Sequence, residues 1–188
     1  MIVLITGGAR SGKSTFAEKY AAHLGSAGVY IATAQISDEE MEERILHHRD
    51  RRLQSGFSWQ TIEEPNALTE WLAKLGAQKD IQEQQTVILV DCLILWLSNW
   101  LLHDGVEQTF EQVLQQVDML VQKLKDYPGT VLLVTNEVGD GLVPQNPLGR
   151  KFRDLAGLMN QRVAAVSDQV FLVTAGIPVE LKGQAFRF

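Results

Sequence analysis

The chain has 188 residues, of which 45% are hydrophobic, and it carries a formal net charge of −6. This length suits one domain with a sizeable core, placed here at residues 1–188, and the acidic balance argues against a nucleic-acid-binding protein. The single cysteine, Cys92, excludes an internal disulfide and fits a reducing, cytoplasmic location. Because Cys92 follows an apolar run, we expect a buried, unreactive thiol.

The first predicted element is a strand in the run MIVLIT, which is apolar throughout, as in a parallel strand buried on both faces. A glycine-rich turn follows this strand and leads into a helix over KSTFAEKYAAHL. The run GVYIATA predicts a second strand. The residues SDEE at 37–40 have the spacing of a capping box and predict a helix that extends to about residue 52.

The rest of the chain continues the alternation of strands and helices. The predicted elements are a strand in FSWQTIEEP, a helix in NALTEWLAKL, a strand in TVILVD, helices in CLILWLSNWLL and FEQVLQQVDMLVQKLK, a strand in GTVLLVTNEVG, a helix in LGRKFRDLAGLMNQRVAAV and a last core strand in DQVFLVTAG. Polar residues interrupt the stretch TVILVDCLILWLSNWLL, so it predicts a strand and a helix and no membrane span.

The alternation predicts an α/β fold with a mostly parallel sheet and helices on both faces. In such sheets, ligands bind at the carboxyl ends of the strands. We therefore look for the functional site in the turns and helices that directly follow the predicted strands.

The turn after the first strand matches the phosphate-binding pattern G-x-x-x-x-G-K-[ST] of P-loop proteins. The residues of this phosphate loop are Gly7, Gly8, Ala9, Arg10, Ser11, Gly12, Lys13 and Ser14. The pattern lies between a buried strand and a helix, where backbone amides and the helix N-terminus can bind phosphate oxygens. We expect Lys13 to reach the β- and γ-phosphates and Ser14 to bind Mg²⁺.

A second ligand for the metal is expected at the end of a neighbouring strand, and Asp91, which ends the run VILVD, has this position. Asn136 and Glu137 follow the run LLVT in the same way and are weaker candidates. The sequence lacks the guanine-reading pattern N-K-x-D, and its D-x-x-G match at 154–157 lies in a predicted helix. The chain is also short for a motor or a transporter ATPase, so a small-molecule kinase is favoured.

The stretch ILHHRDRR at residues 45–52 contains two of the four histidines of the chain. On the predicted helix, His48 shares a stripe with Ile45 and Arg52 that faces the protein body, whereas His47 is turned away. A neutral imidazole can attack an α-phosphate while arginines neutralise the nucleotide. Spacing alone leaves open whether His48 is this nucleophile or a structural residue at the rim of the core.

Together these motifs closely resemble one family, the bifunctional adenosylcobinamide kinase / adenosylcobinamide-phosphate guanylyltransferases of cobalamin biosynthesis. The matching segments are TGGARSGKS, YIATAQ, ISDEEMEERILHHRDRR, TIEEP, LVDCL, WLSN, VTNEVGDGLVP, GRKFRD and LMNQRVAAVSDQV. The resemblance implies that the protein phosphorylates adenosylcobinamide with ATP or GTP. It then implies transfer of GMP from GTP to adenosylcobinamide phosphate, with release of pyrophosphate.

The resemblance also implies the roles of individual residues. His48 would carry GMP as a covalent phosphoramidate, and Mg²⁺ would be bound by Ser14 and Asp91. Beyond the phosphate loop, the implied nucleotide contacts are Ala32, Thr33, Ala34, Arg49, Asp50, Arg51, Arg52, Glu63 and Asp91. The family further implies a mixed sheet and a homotrimer whose active site lies between subunits. Glu63 and Asp91 are candidates for the general base of the kinase step.

Two other functions stay open at this point. One is a monofunctional small-molecule kinase in which His48 is structural. The other is a nucleotide-dependent binding or regulatory module, which the lack of a basic stripe, a heptad repeat or a switch motif in the sequence disfavours. The preferred phosphoryl donor and the residues that bind the corrinoid cannot be read from the sequence.

Overall fold

A seven-stranded sheet forms the centre of the fold in the part of the chain that the structure describes. The structure is a computed structural model that describes residues 1–35, 39–79, 81 and 85–186. Within the second helix, its description does not extend to the side chains of Glu39, Glu40, Met41, Glu42, Arg44, His47 and His48. The expected capping box at 37–40 therefore lies partly outside the described residues.

The strands follow the predicted alternation. They are β1 Ile2–Thr6, β2 Ala27–Ala32, β3 Ser58–Glu63, β4 Val87–Asp91, β5 Thr130–Val134, β6 Gln169–Thr174 and β7 Ile177–Glu180. Their order in the sheet is β3-β2-β4-β5-β1-β6-β7. The first six strands of this order pair in parallel, and β7 pairs antiparallel with β6, so the sheet is mixed and mostly parallel, as expected.

The helices connect these strands. Those with described bounds are α1 Lys13–Leu24, α2 Glu39–Gln54, α3 Leu68–Gly76, α4 Leu93–Leu101, α5 Phe110–Lys125 and α6 Pro147–Val166, and short 3₁₀ turns occur at His103–Gly105 and Lys182–Gln184. None of the helices in the described ranges combines the length and the apolar composition that a membrane span needs. The stretch TVILVDCLILWLSNWLL forms β4 and α4, which confirms its assignment as a strand and a helix.

The central strands are buried on both faces. All five residues of β1 are buried, as are the first four of β4, so neighbouring side chains on opposite faces of the sheet are both covered. Helix α1 packs on β4, β5 and β6, and α6 packs on β1. This double burial explains why the strands have continuous apolar runs and not an alternating pattern. It also leaves the carboxyl ends of the strands as the natural place for a site.

The last strand, β7, was not predicted from the sequence, which ended the sheet at β6. A two-residue turn of Ala175 and Gly176, with φ of 51° and 79°, joins β6 to β7. Two positive φ values are typical of the tight turns that match the twist of a hairpin. The strand is short, mostly exposed and contains Pro178, as befits a sheet edge. An apolar run or a clean alternation is therefore absent from its sequence.

Candidate active site

A cavity of about 800 Å³ opens at the carboxyl ends of β1, β2, β4 and β5. We call it the phosphate cavity. Its walls are the phosphate loop, the start of α1, the ends of the other three strands and one face of α2. The lining includes Ala9, Arg10, Ser11, Gly12, Lys13, Ser14, Tyr30, Ala32, Ala34, Ile45, Arg51, Arg52, Asp91 and Asn136. The structure thus brings most of the predicted nucleotide-binding residues together.

The phosphate loop holds a conformation that requires glycine at its end. Gly12 has φ of +94° directly before α1, and a Cβ there would lie 3.1 Å from the Cα of Gly176. The amide of Gly176 also donates a hydrogen bond of 2.8 Å to the carbonyl of Ser11. The β6–β7 hairpin therefore packs against the phosphate loop and stabilises its conformation. Among the side chains that the structure describes, none caps the start of α1, so its first amides are available to an anion.

Lys13 lies at the bottom of the phosphate cavity with only 9% of its surface exposed. Its Nζ donates a hydrogen bond of 3.0 Å to the carbonyl oxygen of Gly8. Burial lowers the pKa of Lys13 below its usual value, while the neighbouring Cys92 and Asp91 oppose this decrease. A buried ammonium with one neutral acceptor is a strong binding partner for an anionic phosphate oxygen.

Asp91 ends β4 and points into the same cavity. The hydroxyl of Tyr30 donates a hydrogen bond of 3.0 Å to Oδ2 of Asp91. Burial raises the pKa of Tyr30 well above its usual value, and the charge of Asp91 adds to this shift, so the phenol remains a donor. The expectation that Asp91 ends a strand next to β1 was wrong, because β5 lies between β1 and β4. Crossover connections decide that order, and they leave no local signal in the sequence.

Arg52 is the second buried cation of the cavity, with 6% of its surface exposed. Its guanidinium carbon lies 3.6 Å from the centre of the Tyr30 ring. Within the described residues, the buried Nη1 of Arg52 has no hydrogen-bond partner. Ile45 and Arg52, which share the predicted stripe of α2, both line the cavity, and so do Glu43 and Arg51, which belong to the side of the helix that was expected to turn away with His47. A guanidinium with an unused donor at this place is suited to a phosphate oxygen.

Arg51 joins α2 to α1. Its guanidinium donates to both carboxylate oxygens of Glu18, at 2.9 and 2.7 Å, and to the hydroxyl of Thr15 at 2.7 Å. The hydrogen bonds to Glu18 raise the pKa of Arg51, although partial burial acts in the opposite direction and is the largest single influence. Arg51 lines the phosphate cavity, but its main contacts position α2 against the start of α1.

Thr33 organises the ends of β2 and β4 and does not present its side chain to the cavity. It is fully buried, its hydroxyl donates to the carbonyl of Cys92 at 2.7 Å, and it accepts from the amide of Cys92 at 2.9 Å. Asn99 donates to the carbonyl of Thr33 at 2.9 Å. Cys92 itself is buried, and burial raises the pKa of its thiol to about 12, which confirms the expected buried, unreactive thiol.

The remaining predicted residues lie elsewhere. Arg49, Asp50 and Glu63 are exposed and are not among the side chains that line the cavity. Gly7 and Gly8 shape the loop through their carbonyls, which accept from the amide of Glu137 and from Lys13. The backbone at position 48 belongs to α2, while the side chain of His48 lies outside the described residues, so its orientation stays a prediction.

Several residues of the site were missed by sequence reasoning. Tyr30 is hidden in an apolar strand, and Thr15 and Glu18 are part of an ordinary helical pattern. The contacts of Tyr30, Thr15 and Glu18 join segments that are far apart in the chain, so no local motif indicates them. Of the two weaker candidates named from the sequence, Asn136 lines the cavity, whereas Glu137 accepts a hydrogen bond from the amide of Gly139.

A mostly parallel sheet with a phosphate loop between its first strand and first helix defines a P-loop nucleotide-binding protein. The fold is similar to a solved structure of an ATPase domain, with a TM-score of 0.53 and 13% sequence identity over 91% of this chain and 68% of that chain. This likeness concerns the fold alone. The chain belongs to the cobinamide kinase / cobinamide phosphate guanyltransferase family, whose model matches residues 3–181.

Relatives of similar length agree with this assignment. The chain is 43% identical to the bifunctional adenosylcobalamin biosynthesis protein CobP of Pseudomonas aeruginosa, over 96% of this chain and 97% of that protein. It is 42% identical to the bifunctional adenosylcobalamin biosynthesis protein CobU of Salmonella typhimurium, over 97% of this chain and 100% of that protein. The family and the enzyme class predicted from the sequence, a kinase and guanylyltransferase, are confirmed.

Proposed function

We propose that this protein catalyses two successive steps on adenosylcobinamide. It phosphorylates the aminopropanol hydroxyl with ATP or GTP and then transfers GMP from GTP to the new phosphate, giving adenosylcobinamide-GDP and pyrophosphate. The observation that carries the proposal is the cavity in which the phosphate loop meets two buried cations, Lys13 and Arg52. Two cations beside an uncapped helix N-terminus suit a polyphosphate and have no comparable use in a simple structural core.

The oxygen groups in the cavity fit Mg²⁺, which would be held by Ser14 and Asp91. Both residues line the phosphate cavity, and hydroxyl and carboxylate oxygens are the ligands that Mg²⁺ prefers. The hydroxyl of Tyr30 donates a hydrogen bond to Oδ2 of Asp91, so Oδ1 of Asp91 can bind a metal ion. Bound there, Mg²⁺ would neutralise charge on those phosphates.

In the kinase step, the substrate hydroxyl oxygen forms a bond to the γ-phosphorus. The bond from that phosphorus to the β–γ bridging oxygen breaks, and the hydroxyl proton passes to a base. Lys13 and the loop amides hold the donor in line for this displacement. Of the two candidate bases, Glu63 is exposed and lies outside the cavity lining, and both oxygens of Asp91 are engaged, one by Tyr30 and the other by the proposed metal, so neither candidate is favoured as the base.

In the guanylyltransferase step, the nucleophile is His48. A neutral imidazole nitrogen forms a bond to the α-phosphorus of GTP, and pyrophosphate leaves. A phosphate oxygen of adenosylcobinamide phosphate then forms a bond to the same phosphorus, and the bond from that phosphorus to the imidazole nitrogen breaks. GMP is thereby transferred to the corrinoid, and the neutral imidazole is restored. Ile45 and Arg52, at i−3 and i+4 from position 48, line the phosphate cavity, and so do Glu43 and Arg51, at i−4 and i+4 from position 47. Helical spacing therefore places both histidine positions near the cavity, and the choice of His48 rests on the family resemblance. Arg52 belongs to the same stripe as position 48, and its guanidinium would stabilise charge on the transferring group.

Product analysis tests the two steps separately. The protein is incubated with adenosylcobinamide, ATP and Mg²⁺, then with GTP, and the corrinoids are identified by chromatography and mass spectrometry. We expect the phosphorylated corrinoid first and the GDP-bearing corrinoid after GTP is added. Formation of the first product alone would indicate a monofunctional kinase. If neither product forms, the proposed function is wrong.

We also propose that copies of the chain assemble, as a trimer by resemblance, in the cytoplasm. Leu142, Val143 and Leu53 are 97%, 66% and 75% exposed, an unfavourable arrangement for an isolated chain in water. Light scattering on the purified protein should give three times the chain mass of 21.0 kDa, and a monomer mass would contradict the assembly.

The proposed location in the cytoplasm is supported by the buried free thiol of Cys92, which suits a reducing compartment. Cell fractionation tests the location.

A further inference from the structure

A second cavity of about 510 Å³ adjoins the phosphate cavity. Six of the residues that line it carry polar groups: Gln35, Asn66, Ser98, Asn99, His103 and Asp104. We call it the amide cavity. Leu95 lines both cavities and forms part of the wall between them. The reactions described above leave this second cavity without a role.

The lining of the amide cavity differs in chemistry from that of the phosphate cavity. Among the described residues that line it, none is a lysine or an arginine, and Asp104 carries the single formal negative charge. The ring of His103 stacks on Trp100 with 4.7 Å between the centres. The remaining polar groups are neutral amides and a hydroxyl. No lysine or arginine among these residues could bind a phosphate. A neutral ligand with several hydrogen-bonding groups could bind to the amides and the hydroxyl.

Two carbonyl oxygens of the amide cavity are left as acceptors. The amide nitrogen of Asn99 donates to the carbonyls of Thr33 and Pro65 at 2.9 Å each, which leaves its Oδ1 for another donor. The Oδ1 of Asn66 is buried and has no hydrogen-bond partner within the described residues. A buried acceptor is normally satisfied, so Oδ1 of Asn66 indicates a ligand that brings an N–H donor, and Oδ1 of Asn99 offers a second acceptor beside it.

The backbone around Asn66 is rigidly held. The indole nitrogens of Trp96 and Trp100 donate to its carbonyl oxygen at 3.0 and 3.2 Å, and its amide donates to Glu64 at 3.0 Å. Helix α4 carries Ser98 and Asn99 roughly 9 Å along its axis from the start of the helix, at about 1.5 Å per residue. The amide cavity is therefore preformed, and Asn99 lies fewer than two helical turns from the start of α4, which borders the phosphate cavity.

We infer that the amide cavity binds carboxamide side chains at the periphery of the corrinoid acceptor. This inference rests on the proposed function, because cobinamide is the acceptor only if that function holds. Cobinamide carries several neutral primary carboxamides, each with two N–H donors and one acceptor, and Asn66, Asn99 and Gln35 offer the complementary groups. A corrinoid seated here extends toward the phosphate cavity, where its reacting hydroxyl must lie.

The experiment compares two variants with the intact protein. Asn66→Ala removes an acceptor, and Ser98→Leu fills the cavity; Gln115→Ala, on the exposed face of α5, is the matched control. Affinity for cobinamide is measured by calorimetry, GMP-enzyme formation by labelled GTP, and folding by thermal melting. We expect both variants to weaken cobinamide binding at least tenfold, with GMP-enzyme formation within twofold of the intact protein. A corrinoid whose amides are hydrolysed to carboxylates should bind the intact protein at least tenfold more weakly than cobinamide.

Three results would overturn the inference. In the first, folded variants bind cobinamide within twofold of the intact protein. In the second, the variants lose GMP-enzyme formation and keep cobinamide binding, which would assign the cavity to the guanine base. In the third, the intact protein forms the GMP-enzyme but does not bind cobinamide. Failure of the intact protein to form either product is a different result, because it removes the proposed function itself.

Discussion

Arg52 is the residue whose environment most clearly demands a ligand. Its guanidinium is buried over the Tyr30 ring, and within the described residues its Nη1 has no hydrogen-bond partner. Buried arginines are normally paired with an anion, because an unpaired buried charge is costly. Lys13 has a milder form of the same deficit, since within the described part of the chain its Nζ donates to a neutral carbonyl and to no anion. A polyphosphate would satisfy both cations at once.

Replacing Arg52 by methionine separates binding from stability. We expect Arg52→Met to weaken GTP binding by about 10- to 100-fold, which corresponds to the ~1.5–3 kcal/mol of a hydrogen bond to a charged group. The free energy of unfolding should change by less than about 1 kcal/mol, because loss of the cation–π contact is offset by removal of a buried Nη1 donor that has no hydrogen-bond partner within the described residues. Calorimetry and urea unfolding measure the two quantities.

The control for this variant is Lys125→Met, on an exposed lysine at the end of α5. This helix end precedes β5, so it lies at the edge of the sheet opposite the phosphate cavity. The control should bind GTP like the intact protein. Equal GTP affinities of the Arg52 variant and the control would contradict the assigned role.

Lys13 predicts a dependence of nucleotide affinity on pH. Lysine is charged below its pKa, and burial lowers the pKa of Lys13 from its usual 10.5. Affinity should therefore fall as the pH rises through this lowered pKa, earlier than an exposed lysine would allow. In Lys13→Met, affinity should be at least tenfold weaker and should lack this dependence. Fluorescence titration at a series of pH values measures it, and parallel curves for the two proteins would contradict it.

The lowered pKa of Lys13 also affects the stability of the fold, which should rise with pH where nucleotide affinity falls. Between the lowered pKa and 10.5, the unfolded chain holds a proton that the folded chain has released, so the free energy of unfolding rises with pH in this window. The Lys13→Met variant should lack this increase.

At the scale of elements, the described side chains of α2 and α1 include an ion pair that crosses between the two helices and holds them together. Arg51 donates to Glu18 and to Thr15, and Glu18 is 7% exposed, so the pair is partly protected from water. This contact sets the position of the α2 face that carries Ile45, Arg52 and the proposed nucleophile. The phosphate loop itself is supported separately, by the β6–β7 hairpin.

Glu18→Ala should therefore affect the two half-reactions unequally. Without its partner, Arg51 loses the contact that positions α2, so we expect GMP-enzyme formation to slow about tenfold and stability to fall by about 1–3 kcal/mol. ATP binding to the phosphate loop should change less than threefold. Quenched-flow labelling measures the rate of GMP-enzyme formation, and calorimetry measures the affinity for ATP.

The matched control is Glu107→Ala, which breaks the more exposed pair with Lys151. Exposed pairs contribute little, so this variant should behave like the intact protein. An equal loss of both activities in Glu18→Ala would show that the contact supports the whole fold and not the position of α2.

The sequence predicted the parts of the fold and the site that have a local signal. Five of the predicted strands have apolar runs, β3 has the mixed segment SWQTIE, and the phosphate loop and Asp91 follow from a motif and its place after a strand. The edge strand β7 lacks such a run, and the position of β5 between β1 and β4 depends on crossover connections. Tyr30, which holds Asp91 from 61 positions away in the chain, could not be predicted from any local pattern.

At the scale of the whole molecule, nucleotide binding is coupled to folding, because the unfolded chain has no phosphate cavity. A ligand at 100 times its Kd stabilises a protein by ~2.7 kcal/mol, and each kcal/mol raises the Tm of a chain of this size by ~2–4 °C. We expect GTP with Mg²⁺ to raise the Tm by roughly 5–11 °C under those conditions. Differential scanning fluorimetry measures the shift, and an equal shift in Lys13→Met would contradict a site at the phosphate loop.

The most direct test of the two-step account is covalent labelling with GTP that carries a labelled α-phosphate. The intact protein, His48→Ala and His47→Ala are incubated with this GTP and Mg²⁺, denatured, and examined for bound label. A histidine phosphoramidate is labile to acid and stable to alkali. We predict such a label on the intact protein and on His47→Ala, and its loss in His48→Ala. A label that persists in His48→Ala, or no label on the intact protein, would contradict the account.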